Sequence, residues 1–235
     1  MAPMPNLVIL TGAGISAESG IATFRDANGL WETYRIEEVA SPIAFRRDPE
    51  TVHRFYNLRR AQLHQVTPNP AHLALAELER DWAGRGDFLL ITQNVDDLHE
   101  RAGSERLLHL HGEIRKTRCT SCGAVAPHLA DLGVDAVCGG CGRAGVLRPD
   151  IVWFGETPYR MDEACAALAR ADIFAAIGTS GAVYPAAGFA DAARHNGRAC
   201  RTWEINPVPT QAAAFGRVIA ETAVAGVPAF IAAIR

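Results

Sequence analysis

Three groups of residues in the 235-residue chain have types and spacings suited to chemistry. The first is Gly12-Ala13-Gly14-Ile15-Ser16-Ala17-Glu18-Ser19-Gly20, directly after the apolar run 7–11. Glycines there let the backbone approach a pyrophosphate closely, and a helix starting in the run aims unpaired N–H groups at the anion. The third glycine is displaced to Gly20, and no acidic residue ends a clear second strand about 20 residues on. Dinucleotide binding is supported, ordinary dehydrogenase geometry is not, and a ligand-free strand-to-helix turn is the bland alternative.

The second group pairs Cys119-Thr120-Ser121-Cys122 with Cys138-Gly139-Gly140-Cys141 across fifteen residues, and Gly123 and Gly142 follow the pairs. Four thiolates at this spacing suit tetrahedral zinc, and a closed sulfur shell leaves no position for water, so the metal is expected to be structural. The third group is Gln93-Asn94-Val95-Asp96 with His109-Leu110-His111-Gly112. Each follows a short apolar segment, and strand ends along the carboxyl edge of a parallel sheet are where ligands bind. An amide, a carboxylate and a histidine there can serve polar recognition and base catalysis. His109 and His111 share a side of an extended segment, so the pattern does not choose between them. Asn94 and Asp96 can equally cap a helix beginning near Asp97.

These groups need a scaffold. Runs 7–11, 88–92, 107–110, 173–177 and 201–205 read as short strands. Helical spacing appears over 52–63, 71–82, 185–195 and 227–234, with Asn69 as N-cap and Pro70 in the first helical position of the second. Strands alternating with helices imply an α/β fold, a parallel sheet covered on both faces. The region 119–148 breaks the rhythm and reads as an inserted module; a second insertion fits between Phe24 and Thr67.

Composition narrows the classes. An apolar content of 49% with 21% charged residues supports a packed core. A net charge of −3 supplies no basic field for nucleic acid or an anionic membrane. The first residues lack a basic n-region, and the apolar run near them falls far short of the about 20 residues a bilayer needs. Four paired cysteines without an export signal favour a metal over disulfides, leaving Cys165 and Cys200 isolated. A soluble, cytoplasmic protein is expected.

In their order, these motifs resemble those of the sirtuins, NAD-dependent protein-lysine deacylases. The resemblance is carried by Gly12-Ala13-Gly14-Ile15-Ser16, Thr23-Phe24-Arg25, Gln93-Asn94-Val95-Asp96, His111-Gly112, Gly178-Thr179-Ser180 and Glu204-Ile205-Asn206, together with the cysteine pairs. It implies a Rossmann-like domain over 1–24, 68–112 and 149–235, with a small domain made of a helical insertion at 25–67 and a zinc module at 113–148. It implies NAD as co-substrate and one structural zinc ion on Cys119, Cys122, Cys138 and Cys141. The NAD-binding segment 12–31 would contribute Gly12, Ala13, Gly14, Ser16, Ala17, Gly20, Thr23, Phe24, Arg25 and Trp31, with Phe24 and Arg25 in its mobile portion. Gln93, Asn94, Val95 and Asp96 would approach the nicotinamide and its ribose. Gly178, Thr179, Ser180, Asn206, Pro207, Val208 and Ala223 would line the adenosine side. His111 would be the catalytic base, and Val152, Trp153, Phe154, Gly181 and Val183 would flank an extended peptide.

Within the family, Phe55-Tyr56-Asn57-Leu58-Arg59-Arg60 looks like the subclass that accepts succinyl- and malonyl-lysine. Tyr56 and Arg59 would face the distal carboxylate, since positions i and i+3 share a helix face, and Ala40 would enlarge the acyl pocket. Without the family pattern, Arg54, Arg59 and Arg60 read as a solvated basic face. The implied reaction passes the acyl group to ADP-ribose and releases nicotinamide; partners would be acylated-lysine proteins, with no nucleic acid and no membrane. Mono-ADP-ribosyl transfer is the nearest competing activity. A dehydrogenase would share the glycine turn, and a zinc-ribbon nucleic-acid binder would share the cysteines.

Overall fold

A computed structural model describes residues 5–21, 30–31, 34–210 and 213–235, with 30, 31, 36 and 37 as backbone only. Its centre is a six-stranded parallel sheet in the spatial order Arg217–Ile219, Arg201–Ile205, Ile173–Ile177, Leu7–Thr11, Phe88–Thr92, Leu107–His109. Leu7–Thr11 and Ile173–Ile177 are buried at every residue, which is why their sequences run continuously apolar rather than alternating. The pleat still sorts them: Leu7 and Ile9 pack with Leu75, Trp82 and Phe230, while Val8 and Leu10 pack with Leu168, Phe174 and Phe189. The helices Pro70–Trp82 and Ala223–Ile234 cover the first face, and Met161–Leu168 and Phe189–Arg194 the second.

The Asn69 cap forms as its sequence predicts: its side chain accepts from the Ala71 N–H, and His72 Nδ1 in turn accepts from the Asn69 N–H. The helix read over 52–63 begins earlier, at Pro49, because Asp48 caps it by accepting from the Thr51 N–H. The segment 185–195 starts as a 3-10 turn, Ala186–Gly188, before its α-helix.

The chain leaves the central strand Leu7–Thr11 toward Leu107–His109 on one side, then returns to build Ile173–Ile177 and its neighbours on the other. Connections thus diverge at the seam between Leu7–Thr11 and Ile173–Ile177, the place where α/β sheets open a crevice at their carboxyl ends. Beyond the sheet, Gly112–Cys119 pairs antiparallel with Val125–Pro127 and Leu147–Ile151. Sequence reading found no strand over 112–119, since Glu113, Arg115, Lys116 and Arg118 break any apolar alternation. A third core, with Val52, Phe55, Tyr56, Ile114 and Trp153, joins the helix Pro49–Gln62 to this small sheet. Among the described residues no helix is long and apolar enough to cross a membrane.

Candidate functional site

Two turns meet at the crevice, backbone against backbone. The Gly12 N–H donates to Ile177 O at 3.0 Å and the Gly14 N–H to Gly178 O at 2.9 Å. A Cβ on Gly14 would lie 2.6 Å from Gly178 Cα, and one on Gly178 only 2.5 Å from Ile15 N, so neither position has room for a side chain. Asn206 Nδ2 donates to Thr179 O at 2.6 Å and ties the neighbouring strand end to the same turn.

From this seam a cleft of about 760 Å³ runs toward the small sheet. Its seam end is lined by Gly12, Ala13, Gly14, Ala17, Gly178, Thr179 and Ser180, with Asn206, Pro207, Val208 and Ala223 beside them. Gln93, Asn94, Val95 and His111 line its middle, and Ala40, Tyr56, Val152, Trp153, Phe154 and Val183 its far end. Ser16, Asp96 and Arg59 line instead a smaller cavity of about 80 Å³, whose wall of Ala13, Gln93, Asn94 and Val95 is shared with the cleft. Gly20 and Gly181 line neither: Gly20 closes the turn after the first helix at φ +95°, and Gly181, at φ +65°, lies under Thr210. Thr23, Phe24 and Arg25 lie outside the described residues, and Trp31 is described as backbone, paired with Tyr34.

Hydrogen bonds tie Asn94 of the shared wall to the first turn and to Ser16 and Asp96 of the smaller cavity. Asn94 Nδ2 donates to Gly12 O and to Ser16 Oγ, both at 3.1 Å, and the Ser16 hydroxyl donates to Asp96 Oδ2 at 3.0 Å. Asp96 Oδ1 also accepts from the Leu98 N–H, so the helix-capping reading of Asp96 holds alongside its place in the cavity. Burial raises the Asp96 carboxyl above its ordinary range, against the lowering from Leu98 and Ser16.

The structure separates the two histidines that the sequence pattern could not. His111 Nδ1 lies 3.0 Å from Gln93 O; a carbonyl only accepts, so Nδ1 carries the hydrogen and Nε2 is the lone-pair nitrogen of the neutral ring. Among the described residues Nε2 has no hydrogen-bond partner, and the ring lines the cleft. Burial holds this imidazole below its usual range, opposed by the Gln93 carbonyl. His109 instead places Nε2 2.9 Å from Glu100 Oε1. Gly112 makes the turn after His111 possible: at φ +83°, a Cβ there would sit 2.0 Å from Asp150 O.

Residues 12–185 match the model of the Sir2 family. The chain belongs to that family. An NAD-dependent protein deacylase of Bdellovibrio bacteriovorus is 62% identical over 186 residues, 78% of either chain. A crystal structure of a Sir2 homolog–NAD complex superimposes with a TM-score of 0.86 at 43% identity, covering 97% of this chain and 89% of that one. A mutant Sir2 homologue in complex with 2'-O-acetyl ADP ribose gives 0.85 at 41% identity, covering 97% and 91%.

In this Sir2-family chain the far end of the cleft is built from long side chains. Trp153 Nε1 donates to Tyr56 Oη at 2.8 Å, and the Phe154 N–H donates to Ala40 O at 3.0 Å. Burial pushes the Tyr56 phenol well above its ordinary range and keeps its proton on. Sequence reading missed what holds Trp153. Arg148 forms a two-pronged pair with Glu156 at 2.6 and 2.9 Å, its guanidinium stacks 3.4 Å over the indole, and Glu156 Oε2 accepts from the Trp153 N–H. The spacing Trp153-x-x-Glu156 was the available signal. Arg60 is fully buried, donating to Ile114 O and Asn57 Oδ1, and Arg59 is only 7% exposed, so neither belongs to a solvated basic face. Arg54 does, beside Tyr34 and Thr51.

The four cysteine sulfurs all lie within 4.8 Å of one another. N–H groups of Ser121 and Cys122 point at Cys119 Sγ, and that of Gly140 at Cys138 Sγ, each at 3.4 Å. Such contacts stabilise thiolates, and Gly123 and Gly142 turn each knuckle at φ +74° and +71°.

Proposed function

We propose that this chain is an NAD-dependent protein-lysine deacylase that removes acetyl, succinyl and malonyl groups, releasing nicotinamide and O-acyl-ADP-ribose. The observation that carries the reading is His111, a neutral imidazole whose fixed tautomer leaves Nε2 on the cleft wall between the glycine seam and Tyr56. The deacylase relative and the neighbours holding NAD and 2'-O-acetyl ADP ribose support it.

The seam, where Gly12, Gly14 and Gly178 carry no side chain, suits a pyrophosphate, with Ala13, Ala17 and the 178–180 turn close to the phosphates and Asn206, Pro207, Val208 and Ala223 beside the adenosine. Asn94 and Ser16 would order the nicotinamide ribose, and Asp96 the carboxamide, with Gln93 and Val95 alongside. When bound, NAD supplies an ADP-ribosyl electrophile from which the acyl oxygen displaces nicotinamide. His111 Nε2 takes the proton of the ribose hydroxyl that receives the acyl group, a task suited to an imidazole held neutral. Trp153, Phe154 and Val183 flank the peptide. Tyr56 donates its phenol proton to the acyl group and Arg59 supplies the positive charge that favours a distal carboxylate. Cys119, Cys122, Cys138 and Cys141 would hold one zinc ion, closing its shell and fixing the small sheet. Free thiols fit the reducing cytoplasm, where acylated proteins would be the substrates.

Mass spectrometry of matched acetyl-, succinyl- and malonyl-lysine peptides with and without NAD tests the reading. Loss of the acyl mass with nicotinamide release, in the NAD arm alone, is expected. An added ADP-ribose with the acyl group retained would instead establish mono-ADP-ribosyl transfer.

A further inference from the structure

His109 and His111 sit two residues apart and donate to consecutive carbonyls of one loop, yet their second nitrogens meet opposite surroundings. His111 Nδ1 serves Gln93 O at 3.0 Å, His109 Nδ1 serves Asn94 O at 3.2 Å, and the Ile114 N–H serves Val95 O at 2.9 Å. Three successive carbonyls of the 93–96 loop are thus zipped to the segment 109–114, two of them by imidazole rings. At His109 the other nitrogen faces the Glu100 carboxylate at 2.9 Å. A carbonyl and a carboxylate are both acceptors, so both ring nitrogens must carry hydrogen.

We propose that His109 is a positioning residue that works as an imidazolium, joining Glu100 to the Asn94 carbonyl and so holding the 93–96 loop at the nicotinamide end of the cleft. The proposal rests on the deacylase reading for what the loop does, and on this geometry alone for the charge. Asn94 is the residue through which the effect would pass. Its side chain already spans Gly12 O and Ser16 Oγ, its N–H donates to Thr92 Oγ, and it lines both cavities. Its carbonyl is a further anchor, and a charge-assisted hydrogen bond is the stronger kind.

The surroundings favour the charged ring. Burial works against it, but the hydrogen bond and charge of Glu100, with Glu113, outweigh that cost and raise His109 above the ordinary imidazole range. Glu100 sits on the helix Leu98–Ala102 and Glu113 on the strand Gly112–Cys119, where Lys116 pairs with it; Asp96 on the loop and buried His99 are further ionisable neighbours among the described residues. The two histidines therefore have opposed duties. His111 must be free to take a proton, and His109 must keep its second one. As pH climbs through the raised value, His109 retains a single hydrogen for two acceptors and one anchor is lost.

The test uses the full chain. In ¹⁵N-histidine NMR without NAD, His109 should show two protonated nitrogens at a pH where His111 is a neutral Nδ1–H tautomer. The affinity for NAD, by calorimetry, and kcat/KM for deacylation should both fall along an alkaline limb that coincides with the His109 titration. Glu100→Gln keeps an acceptor oxygen but no charge, and should move the titration and the limb down by about one pH unit. His109→Asn keeps an amide donor for the Asn94 carbonyl without a titrating proton, and should abolish the limb; His109→Ala should lower NAD affinity further than His109→Asn. A neutral His109 in the spectrum, or a limb unmoved in Glu100→Gln, overturns the proposal. The spectrum needs no activity, so absence of deacylation in the parent chain would end the functional reading while leaving the imidazolium decided on its own.

Discussion

The two ends of the cleft are built on opposite principles. At the seam, Gly12, Gly14 and Gly178 make a wall by leaving side chains out, and backbone atoms of two turns touch directly. At the far end, Tyr56, Trp153, Arg148 and Glu156 make a wall by filling space and satisfying one another's polar atoms. A wall of backbone has few ways to change, because any added atom meets something that cannot rotate away. A wall of side chains can be retuned one contact at a time. The first therefore suits a ligand part that never varies, a nucleotide, and the second a part that does, an acyl group.

His111 stands between the two, and its loss should have the largest effect. Removing a general base costs about 10²–10⁴-fold in rate, so His111→Ala should lose that much kcat while NAD binding, measured by calorimetry, persists. Because burial holds His111 below its usual value, its imidazole is already neutral at neutral pH, and if it serves as the proposed base, kcat/KM should fall only as pH drops below about 6.5 and through the lowered value. A flat acid limb would remove His111 from this role.

The seam can be broken next. Gly178→Ala places a Cβ 2.5 Å from Ile15 N at a φ of +62°, whereas Gly197→Ala, at φ +79°, meets nothing within 4 Å. Overpacking costs about 1–3 kcal/mol, in addition to the strain of a left-handed alanine that both variants share. Gly178→Ala should therefore lower Tm by several degrees more than Gly197→Ala and weaken NAD binding, which Gly197→Ala should not. Equal Tm shifts would mean that conformation, not space, is what Gly178 supplies.

The same contrast explains what the sequence disclosed. Buried strands and the glycine run are local patterns, since Leu7–Thr11 has to be apolar throughout and a backbone wall has to be written as glycine. The cap at Asn69 is local too. By contrast, Gly112–Cys119 is a strand held by pairing on both sides, with no apolar alternation to betray it. His109 and His111 look alike in the chain because only the fold decides which ring meets Glu100. The pair Arg148–Glu156 leaves only the spacing Trp153-x-x-Glu156 as a trace, because it forms once the turn after Ile151 brings Glu156 back to the Trp153 N–H. Arg59 and Arg60 show the limit of helical spacing, which places them on neighbouring faces but cannot tell a solvated face from one covered by the small sheet.

Arg59 lines the adjoining small cavity rather than the cleft, and its substitution tests whether its charge reaches the acyl end. Arg59→Met keeps most of the buried volume over Phe55, 5.6 Å from the guanidinium carbon, and removes the cation. A charged hydrogen bond is worth roughly 1.5–3 kcal/mol net, so kcat/KM for a succinyl peptide should fall by about one to two powers of ten relative to the acetyl peptide. Equal losses on both peptides would show that Arg59 supports the helix rather than the acyl group.

The smallest effect tests whether the far wall acts as a unit. Trp153 Nε1 donates to Tyr56 Oη, and among the described residues the phenol proton has no acceptor, so it is left for the cleft that Tyr56 lines. Trp153→Phe keeps a ring beneath the Arg148 guanidinium and deletes only the N–H and part of the indole. The phenol can then turn, losing an alignment worth about 0.5–1.5 kcal/mol, or about two- to tenfold in kcat/KM for the succinyl peptide. Such a modest loss could also come from the missing ring atoms, and a double-mutant cycle separates the two causes. If the indole works through the phenol, Trp153→Phe should cost succinyl selectivity in the parent chain and nothing further in Tyr56→Phe, where no hydroxyl remains to be oriented. If the cost is the same in both backgrounds, Trp153 acts by shape alone and the contact with Tyr56 does not orient the acyl group.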